Sequence, residues 1–250
     1  GSVSLNAGVD GGSGNVTVQA GGDIAQAAGD IVAAGSGSID LLAGRDITMG
    51  AGTVITSAGG DIRLEAGGNI ALRTIDAAAG DVAVVAGAAG SISDAANTAA
   101  VDITAGGLIL EAGAGIGTGA NAIDTAVATL TASAGGGGLF VIEADGLTVD
   151  AVTVSVSRVG TGGTTTEVAR TREDLKSASG GAIVVTVAAG DLVVNGGIAP
   201  SEQGILAEGS GHVRLQAAGG SLRLNAGLNA GSGHVTVLAG GDVFQAAAGD

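Results

Sequence analysis

The chain has 250 residues, of which 50 are glycine, with one proline, two phenylalanines and no tryptophan, tyrosine or cysteine, yet 46% of it is hydrophobic. That many aliphatic side chains exclude a disordered glycine-rich tract, and the lack of a three-residue glycine period excludes collagen. A net charge of -15 at pH 7 has the wrong sign for a nucleic-acid groove, and polar or glycine interruptions leave no run of about 18 apolar residues, so neither nucleic-acid binding nor membrane insertion is expected.

From the start of the chain, β-branched residues that follow a glycine and one polar residue mark short alternating runs. They fall at Val16, Ile24, Ile31, Ile39, Ile47, Val54, Ile62 and Ile70, seven or eight residues apart. Val16-Thr17-Val18 and Ile62-Arg63-Leu64 are typical: alternation of this kind is a strand with one buried face. Between the runs stand AGG, AGR, AGS or AAG, where glycine is expected to supply turns of positive φ. Three steps make a longer period. Val16 to Ile39 and Ile39 to Ile62 are 23 residues each, Val82 follows after 20, Ile103 after 21, and Val213 to Val235 is 22. The pattern predicts an all-β chain folded as a three-sided parallel β-helix (a β-solenoid) of about 20 to 23 residues per turn, over residues 1–154 and 182–250. A helical bundle fails on its glycines, at about 1 kcal/mol each in a helix interior. A sandwich would show a more aromatic core.

The pattern breaks from about 155 to 181, SVSRVGTGGTTTEVARTREDLKSASGG, where four of the nine basic residues lie: Arg158, Arg170, Arg172 and Lys176. Residues 167–176 read as a short helix capped by Thr165 or Thr166, or as a loop. Insertions leave solenoids at corners, often on the binding face. The four basic residues are therefore candidate interaction residues that dock on an acidic neighbouring rod or a ligand, against the plainer reading of a tolerated surface loop.

Other chemistry is sparse. His212 and His234 stand in SGHVR and SGHVT, 22 residues apart, and stacking would bring them together as a weak metal pair or, more simply, a surface ladder. Asn15 takes the same phase near the start. Aspartates recur at turns (Asp23, Asp46, Asp61, Asp81, Asp191, Asp242) and invite calcium, but turn aspartates more often bond their own backbone. Glu143 and Asp145 lie in an ordinary coil, GTGG at 160–163 lacks the strand and helix of a phosphate loop, and no nucleophile or metalloprotease motif appears. No enzyme activity and no cofactor are expected.

At the far end the text returns: residues 221–247 match residues 2–28 without gaps at roughly two-thirds identity, about 219 residues on. That interval reads as roughly ten turns, or about 50 Å of rod. The recurring phrase, as in GNVTVQAGGDI, GDIRLEAGGNI and GHVTVLAGGDV, resembles the repeats of large bacterial exoproteins of the filamentous-haemagglutinin type. The resemblance covers most of the chain outside 155–181. It implies a right-handed parallel β-helix in an extracellular or cell-surface fibre, used as a stalk or for adhesion. Expected partners are other copies of the rod, end to end or laterally, or a cell-surface or glycan ligand at the insert. No binding residue carries over, because the phrase is scaffold.

Overall fold

The computed structural model describes residues 1–198 and 203–246. Among these there is no helix. A parallel sheet of 27 strands winds along the chain, and a separate antiparallel pair stands outside it. In the first coils each strand pairs with the strand three places later, so three strands make a turn. The first face begins with Val3–Leu5, Ile24–Gln26, Ile47–Met49, Ile70–Leu72 and Ile92–Asp94. The second begins with Val9–Asp10, Ile31–Ala33, Val54–Ser57 and Thr74–Asp76. The third begins with Val16–Ala20, Ile39–Ala43, Ile62–Ala66 and Val82–Val85.

The core is a set of aliphatic ladders. On the third face Val16, Ile39, Ile62, Val82, Leu108 and Leu130 are successive partners and all point inward. Ile103, expected to follow Val82, instead pairs with Ile75. It opens one long strand, Ile103–Ala112, that bends across the second and third faces.

Glycine at the corner after the third face serves close approach rather than positive φ. A Cβ on Gly44 would overlap the carbonyl oxygen of Gly21, one on Gly67 that of Gly44, and one on Gly87 that of Gly67. Positive φ is required elsewhere, for example at Gly35 and Gly52.

Between residues 115 and 177 the triangle is redrawn. Gly138–Glu143 runs straight where two strands had met at a corner. Gly138 and Leu139 pair with Gly115 and Ile116 of the first face, while Val141, Ile142 and Glu143 pair with Ile123, Asp124 and Thr125 of the second. The corner between those faces disappears. On the opposite side Ile123–Ala134, which carries the third face, is followed by two strands. Leu130 pairs with Val149 and Ala132 with Leu175. A new corner forms over Thr131, whose hydroxyl donates to the Asp174 carbonyl at 2.9 Å.

Beyond this junction one face holds Gly138–Glu143, Ile183–Val187, Val213–Ala217 and Val235–Ala239. A second holds Leu147–Val149, Leu192–Val194, Leu222–Leu224 and Val243–Gln245. The third holds Leu175–Ser177, Gln203–Ala207 and Gly227–Asn229.

Candidate functional site

The insert is a β-hairpin, not a loop or helix. Val152–Val159 pairs antiparallel with Thr165–Arg172, from Val152 opposite Arg172 to Val159 opposite Thr165. GTGG forms its tip, with Gly163 at φ +73°. The Val/Ser/Thr alternation and the glycine tip give the segment strand chemistry, and no helical face is available for burial. The insert is also shorter than 155–181 at its far end, since Leu175–Ser177 already lies in a coil.

The hairpin lies back along the third face towards residue 1. Val152, Val154 and Val156 pack on Ala83 and Ile109, which point outward from that face, with Val168 alongside. The unpaired N–H groups of the inner strand find side-chain acceptors on three successive coils. Ser155 N–H donates to Asp61 Oδ2 (2.7 Å), Ser157 N–H to Ser38 Oγ (2.9 Å) and Val159 N–H to Thr17 Oγ1 (2.9 Å). Two residues of strand therefore cross each coil. An edge strand is capped without a further strand partner.

The basic side chains are paired within the chain. Arg158 Nε donates to Asp40 Oδ2 at 2.7 Å, and Arg63 Nε donates to Asp40 Oδ1 at 2.9 Å. Asp40 is fully buried between them; burial pushes its carboxyl up, and Arg158 pulls it back. Arg170 pairs with Glu111 at 2.5 Å and Arg172 with the same carboxylate. Lys176 belongs to the coil and pairs with Asp174 at 3.2 Å. The acidic rod that this basic insert meets is its own. At the hairpin root a cavity of about 460 Å³ is lined by Glu111, Thr131, Arg172, Glu173, Lys176 and Ile198 among others.

The histidines do stack, with ring centroids 5.1 Å apart and planes 11° from parallel. Their chemistry is a corner ladder. His212 Nδ1 accepts the His234 N–H at 2.9 Å, as Asn15 Oδ1 accepts the Ser38 N–H at 2.9 Å. Asp23, Asp46, Asp61 and Asp191 do the same for Asp46, Asn69, Asp81 and Ser221, one coil on. These four turn aspartates bond the next coil rather than their own turn. Local turns of the expected kind occur at Asp10, Asp76 and Asp94.

Two acidic groups lie at the junction: an aspartate triad, and Glu143, which the sequence places in an ordinary coil. Oxygens of Asp94, Asp102 and Asp124 lie within 4.8 Å of one another, and among the described residues this is the group placed to hold a cation. Asp102 accepts the Asp124 N–H at 3.0 Å, but the ladder stops there, because Asp124 meets Ile142 on the next coil. Burial, with the neighbouring carboxylates, pushes Asp102 up to about 7. A cavity of about 220 Å³, lined in part by Asn97, Thr98 and Asn121, opens on Asp124. Glu143 is buried inside the bore. It accepts from Thr125 Oγ1 (2.6 Å) and from the N–H groups of Val127 (3.1 Å) and Asp145 (3.4 Å), and burial raises its pKa. It satisfies an amide stranded between the strands of two faces. No local motif marks either group; each arises where the face pattern changes.

No protein-family model, no curated protein and no solved structure matches this chain. Among the described residues no helix is long and apolar enough to cross a membrane.

Proposed function

We propose that this chain is a segment of a structural fibre or stalk, part of a tandem-repeat bacterial protein at the cell surface or outside the cell. Its coils are the functional contacts: they stack end to end and hold something at a distance. One observation carries the reading. The strands of the first 28 residues recur in the same order near residue 245, and the same corner bond closes both copies. Ser2 Oγ accepts the Asp23 N–H at 3.0 Å and Ser221 Oγ accepts the Asp242 N–H at 3.2 Å. A unit whose last coil repeats its first is built to be continued. The resemblance to filamentous-haemagglutinin-type repeats supports the extracellular placement.

An adhesin module that binds a cell-surface or glycan ligand through the insert is the second reading, favoured by the cavity at the hairpin root. The internal pairing of Arg158, Arg170 and Arg172 weighs against it. Electron microscopy over a range of protein concentrations separates the two. Rods that lengthen into fibres of uniform width support the stalk; rods of one length at every concentration favour the adhesin.

A further inference from the structure

We infer that successive copies of the 219-residue unit are turned by about half a revolution about the rod axis, so that their hairpins lie alternately on opposite sides. The inference rests on the stalk reading and goes beyond it.

The matching text identifies equivalent strands. Val3–Leu5 corresponds to Leu222–Leu224, Val16–Ala20 to Val235–Ala239, and Ile24–Gln26 to Val243–Gln245. Equivalent strands nevertheless lie on different sides of the rod. Val16–Ala20 belongs to the third face, the side that later carries the new corner over Thr131. Val235–Ala239 belongs to the straight face formed by fusing the first and second, on the side where the old corner vanished. The other two corners exchange roles. The one that follows Val16–Ala20 becomes the one that precedes Val235–Ala239. A triangle with its apex on one side has become the same triangle with its apex on the other.

Winding gives the same answer. From Val3–Leu5, eight parallel steps lead through successive partners to Val213–Ala217. The equivalent strand, Leu222–Leu224, follows on the opposite side. The unit therefore closes after about eight and a half turns, not ten, because the hairpin takes residues that the sequence reading counted as rod. At one strand spacing per turn it advances about 40 Å.

The last described coil states what continues the rod. Val16 is 5% exposed and Ile24 1%, because Ile39 and Ile47 pair over them; their equivalents Val235 and Val243 are 49% and 53% exposed. The occupant that fits is the equivalent of residues 29–50 from a second copy, continuing the chain. Thr17, which holds the hairpin tip, is matched by Thr236 in the same Val-Thr-Val run. The second copy's hairpin would reach back to Thr236 on the fused face, opposite the first hairpin.

The test is a tandem chain in which residue 247 of the full chain is joined to residue 29 of a second copy. Each hairpin tip carries Gly162→Cys, a position with open space around it in a chain without cysteine. Maleimide-gold labelling and electron microscopy then locate the tips. Labels on opposite flanks of one straight rod, about 40 Å apart along it, are expected. Labels on the same flank of a straight rod overturn the half-turn and leave the stalk reading standing. Two rods lying side by side overturn both.

Discussion

Two flat faces of this rod are built alike and finished differently. The third face of the first coils and the fused face of the last share inward ladders of Val, Ile and Leu. Outside, the first presents Thr17, Asp40, Arg63, Ala83 and Ile109 to the hairpin, while the second presents Val184, Arg214, Gln216 and Thr236 without one. The inward pattern states that a coil exists. The outward pattern states what lies on it: short acceptors opposite free N–H groups, one buried carboxylate between two arginines, and an apolar pair under valines.

The sharpest way to break the covered face is Asp40→Ala, which takes the shared carboxylate from Arg158 and leaves Arg63 with Glu65 alone. A loss of about 3–5 kcal/mol in denaturant unfolding is expected. Arg214→Ala on the bare face should change stability by no more than about 0.5 kcal/mol. Equal effects would mean that the hairpin does not seal Asp40.

The junction between the two regions supplies a pH signature. Asp102 holds its proton more tightly in the fold than unfolded, about 7 against an ordinary 3.8. Its contribution is therefore complete below about pH 4 and is lost as pH rises through 7. The loss should be of the order of 3 kcal/mol, and Asp102→Asn should flatten the stability profile over that window. A wild-type profile already flat there would remove the assignment.

The repeated text provides an internal control. Val16→Ala should cost about 2 kcal/mol and Val235→Ala almost nothing, because only Val16 has a coil above it. In a tandem chain the Val235 cost should rise to match. A smaller loss than at Val16 is expected at the corner ladder. His212→Ala loses the acceptor for the His234 N–H and should cost about 1 kcal/mol, whereas His212→Asn should retain it, as Asn15 does.

The coils were legible because one period of glycine and β-branched residues encodes both corner and ladder, and Val16, Ile39 and Ile62 pair as spaced. Ile103 misled because the coil from Val82 to its partner Leu108 spans 26 residues, so a residue 21 on from Val82 falls one face early. The hairpin was legible in part. Val152, Val154 and Val156 alternate and GTGG closes a turn, but the four basic residues drew attention to charge outside the molecule. The acidic partners of the three arginines, Asp40 and Glu111, are distant in sequence, so only the stacking of coils reveals them. The acidic triad left no signal, and Glu143 read as part of an ordinary coil, because each is made by the redrawing of the faces rather than by a motif.

Small-angle scattering of the single and tandem chains at the same dilute mass concentration tests the central claim most directly. A stalk made by stacking predicts that the longest dimension grows by about 40 Å with the cross-sectional radius unchanged. A wider cross-section at nearly constant length would contradict it.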